Sequence, residues 1–269
     1  MNLSQYHENA KRGTTDFPVE YYPINQQHPR YNMQAHWHKD IEIIQVNCGR
    51  LNIQLNYSPM ELTEGDSLFI PGGIIHGAEP ENCNYECVVF SPNVLYSTQK
   101  IRTTIKSKLT APVKFCNNPD AAKLFENFRQ SEEGHEFDTI SRLYAIAAKA
   151  YSNQTDIAVN IEYKIEKIKA AITYIEENFS GSITLADLSK KCAMSANYFC
   201  RFFKDVTAQT PIEYITTYRL EAACEMLLSG LSVTETAYNC GFNDMSYFIH
   251  VFKKHFGVSP KQYTIKQTK

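Results

Sequence analysis

The segment His36-Trp37-His38-Lys39-Asp40-Ile41-Glu42 sets two imidazoles and a carboxylate at positions i, i+2 and i+6. Successive side chains of a strand alternate between its faces, so all three project to one side if the pleat is regular. Imidazole nitrogens and carboxylate oxygens suit a divalent cation and also hydrogen-bond polar ligands. By the same alternation Trp37 points away, to core or rim. A second set of reactive side chains lies near the other end. Asn197, Arg201 and Lys204 stand on one short aromatic segment, and Ser246, His250, Lys253 and Lys254 stand on another. On a helix, such groups read DNA: Arg pairs with guanine, Asn with adenine, and Lys with phosphate.

These side chains need elements to carry them. Residues 16–92 hold short β-rich runs, such as Ile41–Val46, Leu51–Leu55, Ser67–Ile70 and Tyr85–Phe90, separated by Gly, Pro and Asp turns. Many short strands at close spacing predict a sandwich or barrel. Past residue 118 the apolar period becomes helical. Helices are expected at 119–131 and 138–151, and their apolar stripes suggest a dimer interface. The polar stretch from Ser152 to Asp156 marks a linker, and from Glu162 everything reads as helix. The expected organisation is α+β and multidomain: a barrel over 1–115, a helical dimerisation segment over 116–152, a linker over 153–161, and an all-α domain over 162–269.

That all-α end states one pattern twice. Met194-Ser195-Ala196-Asn197-Tyr198-Phe199-Cys200-Arg201-Phe202-Phe203-Lys204 and Thr210-Pro211-Ile212-Glu213-Tyr214 return as Asn243-Asp244-Met245-Ser246-Tyr247-Phe248-Ile249-His250-Val251-Phe252-Lys253 and Ser259-Pro260-Lys261-Gln262-Tyr263. A repeat at this period is a repeated supersecondary unit. Each copy reads as a short helix, a tight turn and a second helix, with Gly241 where a turn wants positive φ and Asn243 as the cap. This is the helix-turn-helix plan, whose second helix enters the major groove. Tyr198, Phe199, Phe202 and Phe203 are spaced for burial, as are Tyr247, Phe248, Val251 and Phe252. The candidate DNA-facing residues are Ser195, Ala196, Asn197, Cys200, Arg201 and Lys204, then Asn243, Asp244, Met245, Ser246, His250, Lys253 and Lys254. The helix between the copies, Pro211 to Leu228, is about 27 Å long at about 1.5 Å per residue. With its flanking turns it can hold two recognition helices in major-groove segments about 34 Å apart.

Composition agrees. The chain has 269 residues, 43% hydrophobic and 21% charged, which is globular rather than disordered. The net charge of −2 hides an asymmetry, because residues 161–269 hold 13 Lys and Arg against 11 Asp and Glu. The N-terminus lacks a signal-peptide core and no apolar run approaches a membrane span, so a cytoplasmic location is expected, with no membrane partner. The eight cysteines are scattered without paired CxxC clusters, and are expected to be reduced, mostly buried thiols.

Two resemblances follow. Tyr218-Arg219-Leu220-Glu221-Ala222-Ala223, Leu227-Leu228, Val233 to Phe242, Tyr247-Phe248 and Gly257-Val258-Ser259-Pro260-Lys261-Gln262-Tyr263 closely resemble the AraC/XylS family of bacterial transcription regulators. Over about residues 165–265 the resemblance implies a seven-helix domain with two helix-turn-helix units that bind double-stranded DNA at a bipartite operator. It also implies RNA polymerase as a partner if the protein activates. His250 stands where the family usually has Arg, which implies weaker guanine readout by the second unit. The spacing His36-x-His38-x3-Glu42-x6-Gly49, then Gly65-x5-Pro71-x-Gly73-x2-His76, resembles the two cupin motifs, with Pro80 where their last Asn is usual. That resemblance implies a barrel in which His36, His38, Glu42 and His76 converge as an effector pocket, with a divalent metal possible and no cofactor required. Three readings compete: a metal-dependent cupin enzyme, a small-molecule sensor, and a relic whose side chains only hydrogen-bond. Fusion to a DNA-binding domain favours a sensor, of a sugar or sugar derivative, in a homodimer.

Overall fold

The computed structural model describes residues 13–28, 30–56, 58–130, 134–154 and 162–267. The chain divides into two compact units that meet between Ile165 and Glu166. The linker expected at 153–161 falls mostly outside the described residues.

The first unit is built on antiparallel strands: β1 (Val19–Ile24), β2 (Met33–His36), β3 (Ile41–Leu55), β4 (Ser58–Thr63), β5 (Asp66–Ile70), β6 (His76–Phe90) and β7 (Val113–Cys116). Their order is β1-β6-β3-β5-β7, with β2 added on β6 and β4 on β3. The hydrogen-bonded path does not close, so the expected barrel is an open sheet folded on itself. The fold-over follows from two contacts. Glu42 pairs in register with Val89, and a straight β6 would carry Val89 about 43 Å from His76 at about 3.3 Å per residue. Glu42 Oε2 instead lies 3.0 Å from His76 Nε2. β3 and β6 therefore double over and enclose an interior. Bulges bend strands, and the β3–β6 register shifts twice between Val46 and Arg50. Gly49 lies there with φ 76°, and a Cβ on it would meet the Asn82 carbonyl oxygen at 2.1 Å, so only glycine fits.

The opposite face of the sheet carries the hydrophobic core. Ile41, Ile43, Phe69, Val88 and Phe90 pack with Leu124 and Phe125 of one helix and Leu143, Ile146 and Ala150 of another. A helix without buried residues comes first, α1 (Gln99–Lys108); the two packing helices are α2 (Pro119–Gln130) and α3 (Glu136–Ser152). This corrects the expected role of the two apolar stripes. They pack against the sheet, so a dimer contact through these helices falls to their outward faces.

The second unit is helical: α4 (Glu162–Asn178), α5 (Leu185–Lys191), α6 (Ala196–Thr207), α7 (Pro211–Leu228), α8 (Val233–Asn239), α9 (Met245–Phe256) and α10 (Pro260–Gln267). The α4 stripe of Ile165, Ile168, Ala171, Ile172 and Ile175 is buried. Local chemistry starts the helices. Thr184 with Asp187, Thr210 with Glu213, and Ser232 with Glu235 form reciprocal capping boxes, and Ser259 with Gln262 repeats the arrangement. Hydrogen bonds from the Thr210 backbone and hydroxyl hold the Glu213 carboxyl below its ordinary range. A depressed carboxylate stabilises the folded state at neutral pH and loses that contribution as pH falls through its folded pKa. Thr210→Ala is expected to cost about 1 kcal/mol, measurable by urea denaturation.

Structure and repeat coincide. Phe203 meets Tyr214 edge-on, at 5.4 Å between ring centroids and 85° between planes; Phe252 meets Tyr263 at 5.6 Å and 82°. The second copy carries one extra residue between its turn and helix. Asp244, not Asn243, consequently caps α9, its carboxylate accepting from the Tyr247 amide at 2.9 Å. Tyr247 is also not buried as its spacing suggested, but 50% exposed.

Candidate DNA-reading helices and a buried histidine cluster

In the first unit, β2 ends at His36, β6 begins at His76, and β3 carries Glu42 one residue from its start. His36 and His76 are register partners. His38 follows β2 in an irregular segment, yet all four side chains come together. They are buried, and their ligand atoms lie within 4.8 Å of one another. Each imidazole Nδ1 faces a backbone carbonyl oxygen: His36 to Gln34 at 2.9 Å, His38 to Asp40 at 3.0 Å, and His76 to Ile74 at 2.9 Å. A carbonyl only accepts, so each Nδ1 carries the proton and donates it. This fixes the rings, as outer hydrogen bonds do for metal-ligating histidines.

The Nε2 atoms of His38 and His76 turn to Glu42. Its Oε2 lies 3.2 Å from His38 Nε2 and 3.0 Å from His76 Nε2. Burial pushes the Glu42 carboxyl up, but the His38 and His76 hydrogen bonds prevail and hold it well below the usual range. Burial, then His76 and His38, push His36 well down, so it is neutral. A carboxylate among fixed, buried imidazoles is a donor set that fits a divalent cation or the hydroxyls of a polar ligand. Cys87 completes the cluster. Its thiol is pushed well up, first by burial and then by the Glu42 charge it hydrogen-bonds. The β6 alternation and the register of Cys87 opposite Ile44 place it on the interior face, a signal visible in the sequence only once the strand pairing is known.

In the second unit, both inter-helix turns have one hydrogen-bonding pattern. The Ala193 amide donates to Lys190 and the Met194 amide to Ser189; the Gly241 amide donates to Tyr238 and the Phe242 amide to Ala237. These are Schellman turns, which need a left-handed residue. Ala193 takes that position at φ 50° and Gly241 at φ 78°. The turns aim α6 and α9. Phe199, Phe203, Phe248 and Phe252 are buried, and the opposite faces are exposed. Ser195, Ala196, Asn197, Arg201 and Lys204 are exposed and Cys200 is partly so; Asn243, Asp244, Ser246, His250, Lys253 and Lys254 are exposed and Met245 partly so. Asn197, Arg201 and Lys204, at i, i+4 and i+7, share one helical face, as do Ser246, His250 and Lys253. Asp244 is engaged as a cap, which suits a positioning role better than base reading.

Arg219 of α7 braces the second turn. Its Nε donates to the Phe179 carbonyl at 2.8 Å and its Nη2 to the Gly181 carbonyl at 2.7 Å. Its guanidinium stands 5.9 Å from the Phe242 ring centroid. It ties the end of α4 to the second turn and so fixes where α9 points.

Two family profiles cover most of the chain. Residues 18–146 match an AraC-like ligand binding domain, and residues 188–265 match a helix-turn-helix domain. A full-length likeness joins them: the uncharacterized HTH-type transcriptional regulator YdeC of Bacillus subtilis is 29% identical, over 98% of this chain and 96% of its own. The chain belongs to the AraC family of transcription regulators. The raffinose operon transcriptional regulatory protein RafR of Pediococcus pentosaceus is 29% identical over 50% of this chain and 57% of its own. The crystal structure of ToxT from Vibrio cholerae O395 superposes with a TM-score of 0.51 at 14% identity, covering 92% of this chain and 96% of that one, and shares the fold. This AraC-family chain is a DNA-binding regulator with a ligand-binding domain, and it is not an enzyme. Among the described residues no helix is long and apolar enough to cross a membrane.

Proposed function

We propose that this AraC-family protein is a cytoplasmic homodimer that senses a sugar or sugar derivative inside the folded sheet and thereby changes how its helix-turn-helix units meet a bipartite operator. The observation that carries the reading is the buried cluster of His36, His38, Glu42 and His76. A buried carboxylate set among three imidazoles with fixed rings is a donor set that a hydroxylated guest or a cation can share. A ligand hydroxyl can donate to the Glu42 carboxylate or to the unprotonated Nε2 of neutral His36. The relative RafR serves a raffinose operon by its name, which supports a sugar over other polar ligands. The same four residues would hold a divalent metal, which supplies coordination positions for ligand oxygens when bound. A thermal-shift panel of sugars, with and without Mn²⁺, Ni²⁺ or Zn²⁺, tests the full chain. A sugar that raises the melting temperature of the wild type but not of Glu42→Gln is expected. A flat response across the panel, with no metal found in the purified protein, contradicts it.

The dimer contact assigned to this reading is the outward face of α3. Phe137 is 91% exposed and Tyr151 50% exposed. Between them Ser141, Ala145 and Ala148 share that face, opposite the buried Leu143, Ile146 and Ala150. Small side chains at this spacing let two copies of α3 approach closely about a two-fold axis. Sedimentation of the full chain should give a dimer at micromolar concentration and a monomer for Phe137→Asp. A monomeric wild type removes the interface.

A further inference from the structure

The second recognition helix has an apolar side chain where solvent-facing polar groups are expected. Ile249 of α9 is 40% exposed. It follows the buried Phe248 as Cys200 follows the buried Phe199, so it holds the Cys200 place of the first unit. On the helix it forms a row with Met245 and Lys253, at i−4 and i+4. That row flanks the face of Ser246 and His250. Met245 is partly buried against the second core and props the row from behind. An isoleucine held out toward water gains stability only when something apolar covers it. The major groove has one apolar group among its base edges, the 5-methyl of thymine. Its hydrogen-bonding neighbours are weak guanine readers: Ser246 is short, and His250 lacks the two-pronged guanidinium that Arg201 brings to the first unit.

We infer that Ile249 reads a thymine 5-methyl in the half-site bound by α9, so that the second unit recognises its sequence by apolar contact where the first uses hydrogen bonds. The inference rests on α9 entering a major groove. Its failure and the failure of that placement give different results.

The full chain is used to select sites from a random duplex library. Each thymine of the second half-site is then replaced by deoxyuridine, which removes the methyl and nothing else. At one or two positions the wild type should lose roughly fourfold in affinity, the value of one buried carbon at about 0.8 kcal/mol and about 1.4 kcal/mol per tenfold. Ile249→Ser should bind the thymine duplex as weakly as the wild type binds the deoxyuridine duplex, and lose nothing more on replacement. Ile249→Val should keep most of the sensitivity. Ile249 is exposed, so these variants keep the fold, and unchanged melting curves verify it. A wild type indifferent to every replacement, a half-site without thymine, or a loss of equal size in Ile249→Ser overturns the inference while leaving α9 on the DNA. Unaltered affinity on replacing His250 and Lys253 together would instead remove α9 from the groove, and the inference with it.

Discussion

Gly241→Ala is expected to destabilise the helical unit by about 2–4 kcal/mol. Two costs combine. Gly241 has φ 78°, in the left-handed region, where an L-residue pays about 1–2 kcal/mol. A Cβ there would also lie 2.8 Å from the carbonyl oxygens of both Phe179 and Ser180. Those atoms are backbone, and Arg219 holds the Phe179 carbonyl itself and the adjacent Gly181 carbonyl, so relief requires moving the segment at the end of α4. Gly257 supplies the control. Its φ is 72°, but a Cβ there meets nothing within 4 Å. Gly257→Ala should cost only the backbone part, about 1–2 kcal/mol. Urea denaturation of the full chain, followed by far-ultraviolet circular dichroism, separates the two. Equal losses would mean that the Phe179–Ser180 contact does not constrain the second turn. Because that turn aims α9, Gly241→Ala should also weaken DNA binding at temperatures where the unit remains folded.

Arg201→Ala is expected to weaken operator binding by about 1–3 kcal/mol, roughly 5- to 150-fold, and to relax the preference at one base pair. The exposed guanidinium lies 5.7 Å from the Tyr198 ring centroid, an arrangement that steadies a planar fork for the two acceptors of guanine. Lys204→Ala should act differently. A phosphate contact carries no sequence information, so affinity should fall evenly across sequences and the salt dependence should flatten by about one ion. His250→Ala should cost less than Arg201→Ala, because a single imidazole cannot reproduce a bidentate pair. Competition binding against every single-base variant of the selected site checks all three. An Arg201→Ala protein with unchanged affinity and preference would mean that α6 is not the reading helix.

How much of this was legible in the sequence varied with the physics. The helical unit was readable because local rules and packing agree there. Thr184, Thr210 and Ser232 cap helices by short-range chemistry, and the repeated Phe and Tyr positions become the same edge-on contact twice. The error at Asn243 came from one extra residue: either Asn243 or Asp244 can cap, and only the structure shows which amide is in reach. The sheet was less legible. β4 is an exposed edge strand holding Pro59, and α1 buries none of its residues, so neither showed an apolar period. The continuity of β3 was hidden by the turn-like Cys48-Gly49-Arg50, where the glycine makes a bulge rather than an end. The stripes of α2 and α3 were visible but ambiguous. Periodicity shows that a face is covered, not by what, and the sheet took both. The His and Glu spacing found four members of the buried cluster, while Cys87 joins through strand pairing alone.

The central claim is that one chain places two unequal reading helices in successive major grooves on one face of DNA, held apart by α7. Inserting about half a helical turn between the two half-sites of the selected duplex tests it most directly, since this rotates one half-site to the opposite face. The account predicts that affinity of the full chain falls to that for the first half-site alone, with the remaining binding still dependent on Arg201. Equal affinity for the original and lengthened duplexes would contradict it.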